Sequence, residues 1–150
     1  MPTPSIWGPP IWILFHTMAE KITEEGFNKI SSEMFHWIKR ISAYLPCPDC
    51  SQHATTFLSK ITPNKIANKN DFKNMLYIFH NMVNNRKNKS LFNYSEIVKY
   101  KDNNIITTYN NFSKVYNTKG NMRMLTESFQ RQLIIKDFRQ WIMKNIQYFQ

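Results

Sequence analysis

Glycine is nearly missing from this chain, with 3 residues in 150. That scarcity argues against a glycine-rich phosphate loop or a set of tight β-hairpins as the working part. Cysteine is equally sparse, at 2, too few for the disulfide framework of a small secreted domain. Acidic residues number 10 against 20 basic ones, a net charge of +10. Such a charge invites a polyanionic partner: a nucleic acid, a phosphate-bearing cofactor or an acidic surface. The basic residues are scattered rather than striped, which fits a solvated surface better than a nucleic-acid track. No apolar run reaches the ~18–20 residues that a membrane span needs. The start, "MPTPSIWGPPIWILF", lacks a basic leader and carries prolines where a signal sequence needs an unbroken apolar stretch. The expectation is a non-secreted, cytoplasmic chain without membrane contact.

What is present is apolar and aromatic: 42% hydrophobic, 15% aromatic, enough for one buried core. Its spacing is helical throughout. A first helix is expected to open at Pro9 or Pro10, where a missing N–H costs little. It carries Ile11, Leu14, Phe15, Met18 and Ile22, and Gly26 marks a stop. A second helix runs from about Phe27 to Tyr44 with Ile30, Met34, Trp37, Ile38, Ile41 and Leu45 on one face, and Pro46 ends it. A short third helix spans about Pro48 to Lys60, with Phe57, Leu58 and Ile61 as apolar contacts. A fourth spans about Lys69 to Arg86, with Phe72, Met75, Leu76, Phe79 and Val83. A shorter one is expected near Ser95–Tyr100, N-capped by Ser95. "NIITTYNNF" reads as helix more than strand, and from Thr126 onward Phe129, Leu133, Ile134, Phe138, Trp141, Ile142 and Ile146 outline a last amphipathic helix. The fold class is all-α, a bundle of four to five helices over residues 1–100 with a helical extension over 101–150.

Both cysteines fall in "YLPCPDCSQH". Cys47 stands at a helix start, where free backbone N–H groups and the helix dipole favour a thiolate. Cys50 lies one turn on, within disulfide reach and expected to be the more enclosed of the two. That is the geometry a dithiol exchanger needs, and three explanations compete. A thioredoxin-like redox site is one, but it needs a preceding strand. A zinc site is a second: it would draw on His53 or on His16, His36 and His80, without a second ligand pair at short spacing. Electron transfer from the dithiol to a flavin held between helices is the third. For that, "FHNMVNNRKNK" puts His80 and Asn84 one turn apart on one helical face, followed by Lys87 and Lys89, which suit a pyrophosphate. A basic, non-enzymatic all-α module that binds nucleic acid or zinc is the alternative to an enzyme.

"WGPPIWILFH", "CPDC" and "HNMVNNRKNK" occur in that order over residues 7–100. Together they resemble the FAD-dependent sulfhydryl oxidases of the Erv/ALR family, most of all its members from large cytoplasmic DNA viruses. The resemblance implies a thiol oxidase with FAD as cofactor, commonly a homodimer, acting on a thiol-bearing protein or redox-relay partner without nucleic acid. In a viral setting it would act in host cytoplasm or virion. It implies Cys47 and Cys50 as the catalytic pair, Cys47 met by substrate and Cys50 nearest the flavin. Electrons then pass to dioxygen, giving hydrogen peroxide. It also implies cofactor contacts from Trp12 and His16, from the backbone at Gly8 and Pro9, and from His80, Asn81, Val83 and Asn84. Tyr77, Lys87, Lys89 and Tyr100 complete the set of expected cofactor contacts.

The chain departs from the family pattern in three ways. Tyr77 and Tyr94 stand where many relatives carry a second cysteine pair, so the two tyrosines are expected to lie close. No shuttle cysteines exist, so Cys47 would receive electrons directly from a partner. Residues 101–150 have no family counterpart and would widen a dimer, cover the flavin or bind the partner.

Overall fold

A computed structural model describes residues 4–117 and 125–150. Among them are six α-helices and no strand: α1 (Pro4–Lys21), α2 (Glu24–Ala43), α3 (Pro48–Ser59), α4 (Lys69–Arg86), α5 (Ile105–Tyr116) and α6 (Leu125–Lys144). The all-α expectation holds. α1 packs against α4 and α5, while α2 packs against α3 and α6.

Helix α1 opens at Pro4 rather than at Pro9 or Pro10, and both prolines lie inside it. Each removes one backbone hydrogen bond near the helix start. Trp7 and Ile11, both buried, hold this segment against the core. Gly26 does not stop α1. The helix ends at Lys21, and Thr23 caps α2 by accepting a hydrogen bond from the Gly26 N–H at 2.9 Å. Glycine is required there because a Cβ would stand 2.5 Å from Tyr148 Cβ.

The segment near residue 95 is a 3-10 helix, Tyr94–Asp102, with Asn93 rather than Ser95 at its cap position and no side-chain cap bond. Ile97 and Tyr100 are its buried residues. Their spacing of three matches the 3-10 repeat, where residues i and i+3 eclipse. Asn104 caps α5 by accepting from the Thr107 N–H at 3.0 Å, which resolves "NIITTYNNF" as helix.

Helix α6 buries a different stripe from the expected one. Ile134, Phe138, Trp141 and Ile142 are inside, but Phe129 and Leu133 are 66% and 50% exposed. Ser128, Arg131 and Asn145 complete the buried stripe; being polar, they mask it in the sequence. The extension joins the main core. Ile105, Phe112, Tyr116 and Phe138 belong to the same cluster as Leu14, Phe15 and Ile38. Tyr116 donates to the Ile41 carbonyl at 2.9 Å, Arg40 pairs with Asp137 at 3.4 Å, and Thr23 N–H donates to the Tyr148 carbonyl at 2.8 Å.

Candidate active site

The cysteine turn is built by Pro46 and Ser51. Pro46 breaks the chain after α2, and Pro48 opens α3. The buried Ser51 hydroxyl accepts from the Leu45 N–H at 2.8 Å, which fixes the corner between the helices. Cys47 is the N-cap of α3. Its Sγ accepts from the Cys50 N–H at 3.2 Å, and the two sulfurs form a disulfide across a Cα separation of 5.2 Å. Both cysteines are half-buried, so exposure does not separate them as expected. Direction does: Cys50 lines a cavity of about 280 Å³ and Cys47 does not.

That cavity is lined by α1, α3 and α4, with Ser42 near the end of α2 and Tyr100 near the end of the 3-10 helix. Gly8, Pro9, Trp12, His80, Val83, Asn84, Lys87, Lys89 and Tyr100 all line it, bringing together residues from three separated motifs. Trp12 stacks on His80 with centroids 4.1 Å apart and planes 8° from parallel. His16 sits behind this wall. Its Nε2 and His80 Nδ1 share a hydrogen bond of 2.9 Å, and its ring stacks on Tyr100 at 4.9 Å.

Two expected residues face elsewhere. Asn81 Oδ1 accepts from the Phe92 N–H at 3.0 Å and Asn81 Nδ2 donates to the Phe92 carbonyl at 3.1 Å, so Asn81 clamps the following loop onto α4. Tyr77 packs on Tyr94 with ring centroids 5.3 Å apart and on Phe92 at 5.2 Å. The two tyrosines are therefore close, as the sequence led us to expect.

The lysines reach the cavity through the end of α4. Asn88 is left-handed, with φ of 59°. Lys89 N–H donates to the Asn84 carbonyl at 2.8 Å and Asn88 N–H to the Asn85 carbonyl at 3.1 Å. This paired closure, with asparagine where glycine is more usual, turns the chain back so that Lys87 and Lys89 both line the cavity. Lys87 Nζ lies 5.8 Å from the Trp7 ring. Burial lowers the Lys87 ammonium below its ordinary range, helped by Lys89 and Arg86.

The residues present fit an aromatic, phosphate-bearing cofactor. The walls carry flat rings, the basic groups come from the end of α4 and the turn after it, and Gly8 leaves open space where a side chain would intrude. The Trp7 indole N–H is buried in the cavity wall without a protein acceptor, a donor placed for a ligand. Trp7, Arg86 and His53 also line the site and were absent from the expected set. Trp7 heads the "WGPP" stretch and stands four residues before the buried Ile11; that helical spacing was the signal for it.

A sequence profile of the Erv1 / Alr family matches residues 9–105. The chain belongs to the Erv1 / Alr family. It is 34% identical over 102 residues to a protein of African swine fever virus (Warthog/Namibia isolate) named FAD-linked sulfhydryl oxidase, covering 68% of this chain and 85% of that one. A protein of the same name from a Tick/Malawi isolate is 33% identical with the same coverage. An FAD-linked sulfhydryl oxidase of Oryza sativa subsp. japonica is 28% identical over 85 residues, 57% of this chain and 43% of that one. No solved structure matches. The family profile ends where α5 begins.

Other chemistries are less well served by this geometry. In the disulfide state neither sulfur is available as a zinc thiolate. No strand precedes the cysteine turn among the described residues, as a thioredoxin-like site would require. No described helix is long and apolar enough to cross a membrane.

The histidine pair makes the site acid-sensitive. Burial, then His80 and Lys99, pushes His16 from 6.5 down to about 3. Burial, then Lys89 and Lys99, pushes His80 from 6.5 down to about 4. Both imidazoles are neutral when folded, so below pH 6.5 the unfolded chain binds more protons than the folded one. Stability is complete above the unfolded value and falls as pH drops towards the folded values. Between pH 7 and pH 4.5, His16 is expected to account for a loss on the order of 2 kcal/mol. Urea unfolding at the two pH values, compared with His16→Asn, checks this; the variant should lose less on acidification.

Proposed function

We propose that this chain is an FAD-linked thiol oxidase that introduces disulfide bonds into protein substrates. One observation carries the reading: a Cys47–Cys50 disulfide whose second cysteine lines a cavity walled by rings and edged by lysines. Family membership supports it.

The protein's own part is thiol–disulfide exchange. A substrate thiolate attacks Cys47 Sγ, the Cys47–Cys50 bond breaks, and Cys50 leaves as a thiolate on the cavity wall. A second substrate thiolate attacks the substrate sulfur of the mixed disulfide and expels Cys47. The substrate has then lost two electrons and two protons, and the cysteine pair holds both electrons. Cys47 is the better entry point because it lies off the cavity wall. As leaving group its thiolate is stabilised by the Cys50 N–H and the start of α3. FAD, when bound, supplies the two-electron acceptor and the onward reaction with dioxygen that gives hydrogen peroxide.

Trp12, His80 and Tyr100 would hold the aromatic parts of the cofactor, and Lys87 and Lys89 its phosphates. Gly8 and Pro9 would let it approach α1. His16 and Asn81 would act from behind, holding His80 and the Phe92 loop. The reading carries with it a thiol-bearing protein as substrate, dioxygen as final acceptor and a homodimer as assembly.

The test is flavin retention. A His80→Ala/Asn84→Ala double variant should hold FAD at least about tenfold more weakly, roughly 1.4 kcal/mol. Flavin absorbance per protein after gel filtration measures this. Unchanged occupancy would remove α4 from the cofactor site.

A further inference from the structure

The cysteine turn carries a carboxylate between its sulfurs that the exchange steps leave unused. Asp49 Oδ2 lies 3.6 Å from Arg86 Nη1 on α4 and 3.8 Å from His53 Nε2 one turn along α3. Cys50, His53 and Arg86 all line the cavity. Cys50 and His53 are three apart on a helix, which puts them on one face with Cβ atoms about 5–6 Å apart. The two cysteines are also served unequally. Cys50's own N–H is donated to Cys47 Sγ, so the start of α3 favours the Cys47 thiolate and leaves Cys50 to be ionised by something else.

We propose that His53 is the base that takes the proton of the Cys50 thiol in the reduced protein, with Asp49 as its positioning residue and Arg86 tying Asp49 to α4. The inference rests on the exchange reading above and gives it a proton path. Asp49 faces Nε2 and favours the tautomer with the proton there, leaving the Nδ1 lone pair to accept. The Cys50 Sγ–H bond breaks and an Nδ1–H bond forms. No electrons are transferred; a neutral thiol and a neutral imidazole become a thiolate and an imidazolium.

The charges around this pair are mixed. Arg86, Lys87 and Lys89 oppose a proton on His53 and favour a thiolate at Cys50. Asp49 does the reverse, and His80 on α4 is neutral for the reason given above. α1 and α2 present only uncharged side chains to the cavity. Asp49 is therefore the carboxylate placed to orient the His53 ring.

Histidine resonances of the full-length protein, titrated by NMR in oxidised and reduced states, test the proposal. Replacing a neutral disulfide by a thiolate should raise the His53 imidazole by about one pH unit on reduction. Reduced Cys47→Ser should keep the raised value, and reduced Cys50→Ser should return it to the oxidised value. Asp49→Asn should lower it in both states, and an unchanged value would remove Asp49 from the proposal. A His53 that titrates alike in both states, or a shift that survives Cys50→Ser, overturns the proposal. Flavin content and turnover are read separately on the same samples. Absence of flavin or of turnover in the unsubstituted protein would count against the oxidase and not against the proton path.

Discussion

Cys50→Ser should bring dithiol oxidation down to the uncatalysed background, a fall of at least about 10³-fold or roughly 4 kcal/mol in barrier. Cys47→Ser should do the same, because the two sulfurs act as one unit and neither alone stores two electrons. The variants should nevertheless be distinguishable. Cys50 lines the cavity and Cys47 does not, so Cys50→Ser should change the absorbance of bound flavin more than Cys47→Ser. Cys50→Ser keeps the sulfur that meets substrate but loses the one that would displace it. Presented with an activated substrate disulfide, it should hold a mixed disulfide at Cys47, detectable by mass. Retained turnover in either variant would end the exchange mechanism. Equal flavin spectra would end the assignment of Cys50 as the inner sulfur.

The parts of the fold that were legible in the sequence are those where one face carries a plain apolar stripe. α2 and α4 came out at nearly their observed bounds because Ile30, Met34, Ile38 and Ile41, or Phe72, Met75, Leu76 and Phe79, repeat at helical spacing and are all buried. The misreadings have local causes. Pro9 and Pro10 looked like a helix start, yet burial of Trp7 and Ile11 outweighs two missing hydrogen bonds. Gly26 looked like a stop, yet its smallness answers Tyr148, which is 122 residues distant in sequence and invisible to any local pattern. On α6 the buried Arg131 replaced the apolar residue that would have revealed the true stripe. In the site, motif order led to Cys50, Trp12, His80 and Lys89, all of which line the cavity. Spacing alone could not say that Asn81 turns away to Phe92, because that depends on where the loop after α4 returns.

Truncation after Asn103 should abolish cooperative folding, although it keeps the cysteine pair, every cavity residue named above and almost all of the segment matching the family. The reason lies in how the core is closed. α5 packs along α1, and α6 along α2. Their Phe112, Tyr116 and Phe138 are fully buried, Ile105, Tyr109 and Trp141 nearly so, and Phe149 just beyond α6 is buried with them. Losing one such ring is expensive: Phe112→Ala should cost about 3–5 kcal/mol. Native stability is only about 5–15 kcal/mol in total. Removing α5 and α6 takes several of these rings at once, together with the Tyr116–Ile41 and Trp141–Glu33 hydrogen bonds. It would also leave the apolar sides of α1 and α2 facing water. The truncated chain should therefore show no sharp thermal transition and no retained flavin, while Phe112→Ala in the full chain should melt cooperatively at lower temperature. A truncated monomer that melts sharply and holds flavin would mean that residues 1–103 form a complete bundle and the last third is an attachment. Failure of the truncation beside survival of Phe112→Ala would mean that the redox site depends on helices outside the family segment.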